Sequence, residues 1–152
     1  LAMSTPTPSH DAVSRALARS LLLSVDMAHA THPHYSDKHE PQHPIFLGRW
    51  PALKLHAGQS YASDGPGIAA LDAVARRAGV ETQRFVTRGD IRCGSTVGPI
   101  TAARLALRTV DLGMPMLGMH SCRELAACAD LPPLISLLTA FYRDVVVPPP
   151  RD

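Results

Sequence analysis

The chain has 152 residues, 45% of them apolar and 18% charged, with a formal net charge of +2. That balance fits one globular domain with a real core and excludes a disordered chain. Lys and Arg form no dense basic run, which argues against nucleic acid, and no apolar stretch approaches the length of a membrane span.

Residues 1–8 are small, polar and Pro-rich, and read as a loop or disorder. Ser9 is a candidate N-cap for a helix through about residue 20. The short run Leu21-Leu22-Leu23-Ser24-Val25 predicts a buried strand over 22–25, ending at Asp26. Residues 26–51 show little periodicity and read as a long, functional loop. Residues 52–56 alternate apolar and polar side chains, as a half-buried strand does. Residues 65–78 predict a helix with Ile68, Leu71, Ala75 and Ala78 on one face and Gly79 as its stop. A strand over 83–87 and a Gly-containing loop over 88–98 follow. Pro99 suits the first turn of a helix to about residue 107.

Residues 109–112 read as a short strand. Ser121 and Glu124 form the S-x-x-E pattern of a capping box, which predicts a helix opening there. A last helix is expected over 134–147, stopped by three prolines at 148–150. Strands alternating with helices favour a layered α/β/α fold. The domain is expected over 9–147, with 148–152 as a tail.

Chemistry concentrates in three places. The first is Asp26-Met27-Ala28-His29-Ala30-Thr31-His32-Pro33-His34, followed by His39 and His43. Imidazole and carboxylate are the usual ligands of catalytic zinc. An Asp at the end of a buried strand lies where open α/β sheets bind ligands. Polar surface is the better reading of the His-rich loop by spacing alone, since Pro33 and Pro41 break the helical spacing that would put two His on one face, and Asp26 is as plausible a cap as a ligand. The second is His120, just before the expected helix cap. A metal ligand fits there, but taken alone a buried His bonded to backbone is the better reading. The third is the loop from Arg88 to Pro99, whose small residues before a helix start suit an anionic group. Its spacing is not that of a P-loop.

Lys54, in Leu53-Lys54-Leu55, reads by pattern as a solvent-facing lysine. Cys93 is a conceivable nucleophile with His120 as base, but a buried inert thiol is the better reading. The three cysteines, Cys93, Cys122 and Cys128, are odd in number and form no C-x-x-C. A reducing compartment fits them better than a disulfide scaffold.

Several of these segments together resemble the aspartyl aminopeptidase family. Ser24-Val25-Asp26-Met27-Ala28-His29-Ala30-Thr31-His32-Pro33-His34-Tyr35 is similar to its signature S-x-D-M-A-H-A-x-H-P-N-Y, with His34 in place of Asn. Asp37-Lys38-His39-Glu40, Lys54, Tyr61, Asp90 and Cys93-Gly94-Ser95-Thr96-Val97-Gly98-Pro99-Ile100 continue it. Ala103-Arg104-Leu105, Val110-Asp111-Leu112-Gly113 and Met119-His120-Ser121-Cys122-Arg123-Glu124 follow in order, and Ile91-Arg92 is an unusual filling.

The resemblance implies a zinc aminopeptidase with two ions in the complete enzyme, acting on peptides with an acidic N-terminal residue. It further implies a cytoplasmic homo-oligomer that engages neither nucleic acid nor membrane. Asp26 and His120 match metal ligands. Lys54 matches a lysine that meets the substrate's acidic side chain. His29, His32 and Tyr61 match positions near that pocket, and Asp90, Gly94, Ser95 and Thr96 a loop bordering it. The family's other ligands and its general-base Glu have no counterpart in these residues, so no catalytic residue is assigned. Leu1 in place of an initiating Met also reads as a segment of a longer chain, inactive by itself. A non-catalytic assembly module and a stand-alone metal-binding His loop are the competing readings.

Overall fold

The computed structural model describes residues 9–144. The loop expected over 1–8, the end of the last helix at 145–147 and the stop at 148–150 lie outside them. In chain order the elements are α1 (His10–Ala18), β1 (Leu21–His29), β2 (Ala52–Leu55), α2 (Gly65–Arg77), β3 (Gln83–Val86), α3 (Val97–Leu105), β4 (Arg108–Leu117), β5 (Leu125–Ala126) and α4 (Leu131–Asp144). This is the α/β architecture expected, with one mixed sheet in the order β1-β4-β2-β3. β1 runs parallel to β4, β2 parallel to β3, and β2 antiparallel to β4. β5 pairs with the far end of β4.

The sheet has two unlike faces because side chains alternate along each strand. Leu53, Val110 and Leu112 point to one face. There they meet Leu71, Val74 and Ala75 of α2, and Leu134, Leu137, Ala140 and Phe141 of α4. Both helices bury residues three and four apart, one stripe each, so a strand layer and a helix layer close a single core. On the other face lie Ala52 and Phe85, packed with Ala28, Ile45 and Tyr61. Loops and the start of α3 cover this second face, and the polar residues described below sit on it.

Local signals place several ends correctly. Ser9 caps α1, its hydroxyl accepting from Ala12 N at 3.1 Å. Asp64 caps α2 through Gly67 N at 2.8 Å. Gly79 follows α2 with φ +66°, the left-handed stop that glycine adopts without strain.

Four expectations need correction. The early strand does not end at Asp26; it continues to His29, paired rung by rung with β4. β4 likewise runs well past residue 112, to Leu117. β2 is buried on both faces, not half-buried. Ser121 and Glu124 open no helix. Ser121 Oγ accepts from Arg123 N at 3.0 Å and Glu124 Oε1 from His120 N at 2.6 Å, which closes a tight turn. Gly118 and His120 in that turn both have positive φ, which a helix cannot absorb. The chain then spends Leu125–Ala126 on pairing with β4, and the helix starts only at Leu131. Pro132 and Pro133 fall in its first turn, where an N–H would go unused.

The loop after β1 is stapled down. Gln83 binds Phe46 N, Phe46 O and Trp50 O through its amide. Asp130, fully buried, accepts from Gly48 N at 2.8 Å and Trp50 N at 3.1 Å. Trp50 holds φ 76°, unusual for a residue with a side chain, so it depends on this anchor. Asp130→Ala is expected to lower stability by about 1–3 kcal/mol, since two backbone donors lose a charged acceptor. A urea midpoint unchanged from the parent would contradict that.

Candidate active-site face

The polar face begins with an alternation. Ser24, Asp26 and Ala28 of β1 share one side, opposite Asp111, Gly113 and Pro115 of β4. Gly113 is in turn paired with Ala52 of β2. Glycine at the centre leaves no side chain between the neighbouring strands. The Asp26 carboxylate crosses that gap and takes an ion pair from the Lys54 ammonium.

Lys54 is thus not the solvent-facing lysine its pattern predicts. Its side chain is 3% exposed, against 48% for Asp26. The alternation misled because β2 is covered on both sides. The ammonium also lies 5.4 Å from the centroid of the Tyr61 ring, a cation–π distance. Burial lowers the Lys54 pKa to about 8, with the charges of Asp111 and then Cys93 acting the other way. At pH 7 the side chain is therefore mostly an ammonium ion.

Tyr61 stands on edge against Phe85, with ring centroids 6.1 Å apart. Burial first, then the Cys93 thiol beside it, pushes its phenol pKa well up. Thr87 Oγ1 donates to Cys93 Sγ at 3.3 Å. Tyr61, Phe85, Thr87, Cys93 and Gly94 line a cavity of about 220 Å³, with His29 at its side. Lys38, Arg88 and Arg92 also line it, Lys38 paired with Asp37 and Arg88 with Asp90.

The histidines form a string along the loop side. His29, three residues beyond Asp26, packs 6.3 Å from Phe85. Its pKa is lowered by burial and then by His120, which lies close enough for its charge to be felt. His39 is lowered by burial, then by His29 and His32. His32 stacks on Tyr35 at 4.9 Å and accepts from His34 N through Nδ1. The lowered values at His29 and His39 favour their neutral imidazoles, the form that binds metal.

Of the residues singled out in the sequence, Asp26, Lys54, Tyr61 and Thr96 converge on one face. His29 links that group to His120 and the loop histidines. Ser95 is tied to it through Ser60 O, and Gly94 lines the cavity. Asp90 stands apart. It is exposed and held by Arg88, whose hydrogen bonds keep its carboxyl below the usual range. Arg88 in turn reaches Asp37 O.

Three participants escaped the sequence reading: Asp111, Thr87 and His39's place in the string. By alternation Asp111, between Val110 and Leu112, would face solvent. Only its full burial in the fold shows that this charge needs partners.

Asp26 and His120 offer a carboxylate and an imidazole, donor types that zinc takes. Two donors do not make a catalytic centre. Among the described residues, no group of three or more His, Cys, Asp or Glu side chains is arranged to hold a metal ion. Asp26 and His120 are donors of suitable type, short of a whole centre. Among the described residues, no helix is long and apolar enough to cross a membrane.

Comparison with known proteins adds a frame to this geometry. A family model described as "Aminopeptidase I zinc metalloprotease (M18)" matches residues 2–142. A probable M18 family aminopeptidase 2 of Pseudomonas aeruginosa (strain UCBPP-PA14) is 45% identical over 141 residues, 93% of this chain and 33% of its own length. A protein of the same description from Mycobacterium bovis (strain BCG / Pasteur 1173P2) is 50% identical over 127 residues, 84% of this chain and 29% of its own. The chain therefore spans about a third of the length of the curated relatives it matches.

Among solved structures, the matching chain in a cryo-EM structure of the Ape4 and Nbr1 complex superposes with a TM-score of 0.88 at 41% identity. It covers 91% of this chain and 26% of that one. A dodecameric mApe1 from S. cerevisiae gives 0.80 at 27% identity, over 92% and 30%.

Proposed function

Because the chain belongs to the M18 family of zinc metalloproteases, we propose that it forms part of a metal-dependent aminopeptidase selective for peptides that begin with Asp or Glu. The observation that carries this reading is the buried Lys54 ammonium, set over the Tyr61 ring that also lines the cavity. A substrate carboxylate would replace the exposed Asp26 carboxylate as its partner, exchanging one charge-assisted contact for another. A neutral side chain would leave the ammonium without that partner.

In this reading Asp26 and His120 act as two of the donors to a zinc centre, which the remaining length found in the relatives would complete. Zinc supplies polarisation of the scissile carbonyl and acidifies water. The residues of this chain orient the N-terminal residue: Lys54 meets its acid, Tyr61 and Phe85 flank it, and the 94–96 loop borders it. His29 and His32 stand at the loop side. The 152 residues by themselves are expected to be inactive, since two donors cannot hold a catalytic ion.

A second reading is an assembly module. It is favoured by the apolar side chains α3 leaves in the open: Val97 at 70% exposure, Ile100 at 55% and Leu105 at 46%. Self-association is compatible with the peptidase reading and is expected with it.

One preparation of the intact gene product tests both. It should release Asp from an Asp-starting peptide, lose that activity in chelator, regain it with zinc, and sediment as a homo-oligomer. Turnover that survives full metal removal rejects the peptidase mechanism. A sedimenting monomer rejects the assembly surface.

A further inference from the structure

Asp111 lies in the middle of β4 with no exposed surface. Both its carboxylate oxygens are committed. Oδ1 accepts from Thr96 Oγ1 and Oδ2 from Ala62 N, each at 2.6 Å. Its own N–H donates to Ser63 Oγ at 3.0 Å. One strand residue therefore holds two separate segments, the one carrying Tyr61 and the one carrying Gly94, Ser95 and Thr96. Ser95 Oγ donating to Ser60 O at 3.2 Å is a second tie between them.

The start of α3 is pressed onto the same carboxylate. A Cβ on Gly98 would come within 2.5 Å of Asp111 Oδ1, so only glycine permits this approach. From the sheet side, the charge of Asp111 acts on the Lys54 ammonium. Lys54 thus has one carboxylate in direct contact, the half-exposed Asp26, and a second one nearby that is locked in place.

We propose that Asp111 is a positioning residue for acid recognition, a buried carboxylate that clamps the Tyr61 segment to the Thr96 loop around Lys54. The proposal rests on the reading of Lys54 as the group that meets the substrate's acid. Both contacts to Asp111 are charge-assisted, and bonds of this kind are about twice as strong as neutral ones. An asparagine keeps the volume and can accept from Ala62 N while its NH2 donates to the Thr96 hydroxyl, so it exchanges both charge-assisted bonds for neutral ones.

The test uses Asp111→Asn in the intact gene product. With an Asp-starting peptide, KM is expected to rise about tenfold while kcat changes less, and KM for a Leu-starting peptide should hold. Amide exchange should quicken together in peptides covering 60–63 and 94–97. Thr96→Val and Thr96→Ser form a second pair, for the case that Asp111→Asn does not fold. Val should release the 94–97 segment and raise KM, and Ser should restore both. Unchanged exchange, or equal losses on acidic and neutral peptides, overturns the proposal. If the unmodified protein shows no acidic preference, the Lys54 reading falls and takes acid recognition with it. The exchange measurement then still decides the clamp.

Discussion

Gly113→Ala is expected to destabilise the fold by about 3 kcal/mol or more, and to take apart the Asp26–Lys54 pair. A Cβ at this position would lie 2.6 Å from the carbonyl carbon of Met27, 2.8 Å from its oxygen and 2.9 Å from Ala28 N. These are backbone atoms of the neighbouring strand and cannot rotate away. Relief requires β1 to move off β4 at the Asp26 rung, in the longest pairing of the sheet. The same glycine leaves the gap that the Asp26 carboxylate crosses. Chemical denaturation of the variant checks the first effect. Gly65→Ala is a fitting control, because a Cβ there meets nothing within 4 Å. A loss below 1 kcal/mol at Gly113, on the order of an exposed substitution, would contradict the account.

The elements that local chemistry determines were readable in the sequence. Ser9 and Gly79 work through short contacts or a single backbone angle, and each marks its helix end where expected. Strand lengths were not readable, because pairing partners decide them. β1 looked finished at Asp26 since polar side chains broke the apolar run. Its backbone nonetheless goes on pairing with β4 as far as His29 opposite Met116. β4 looked finished at Leu112 because Gly113 and Pro115 follow, residues that usually interrupt strands. Pro115 falls beyond the two rungs that β2 shares with β4, so no ladder on that side is broken. The S-x-x-E pattern misled for a related reason. Its side chains do satisfy nearby N–H groups, but those of a turn rather than a helix.

The site divides along the same line. The residue types and order near Asp26, Lys54 and His120 could be matched by motif. Their grouping could not. Nothing in Leu53-Lys54-Leu55 tells a reader that both faces of that strand are covered, since α2 and α4 on the Leu53 side and the Ile45 and Tyr61 segments on the other come from elsewhere in the chain. Asp111 was visible as a charge inside an apolar run, yet its role depends on two loops brought to it by the fold. Burial of a charged residue in a strand is thus a better pointer to such a hub than its spacing from other polar residues.

Lys54→Met, made in the intact gene product, is expected to cut kcat/KM for Asp- and Glu-starting peptides by about 100-fold or more, with far less change for Leu-starting ones. Removing one partner of a buried, hydrogen-bonded charge pair costs about 2–5 kcal/mol. Here that loss falls on acidic substrates alone, because only they bring a carboxylate to the ammonium. Methionine keeps an unbranched side chain at this buried position, so little volume is lost. Asp26 is half exposed and water can replace the ammonium there, while Asp111 keeps its two hydrogen bonds. Zinc content should match that of the parent, which separates lost recognition from a damaged metal centre. A Lys54→Met enzyme that still prefers acidic peptides would move the specificity elsewhere, with Lys38, Arg88 and Arg92 along the cavity as the next place to look.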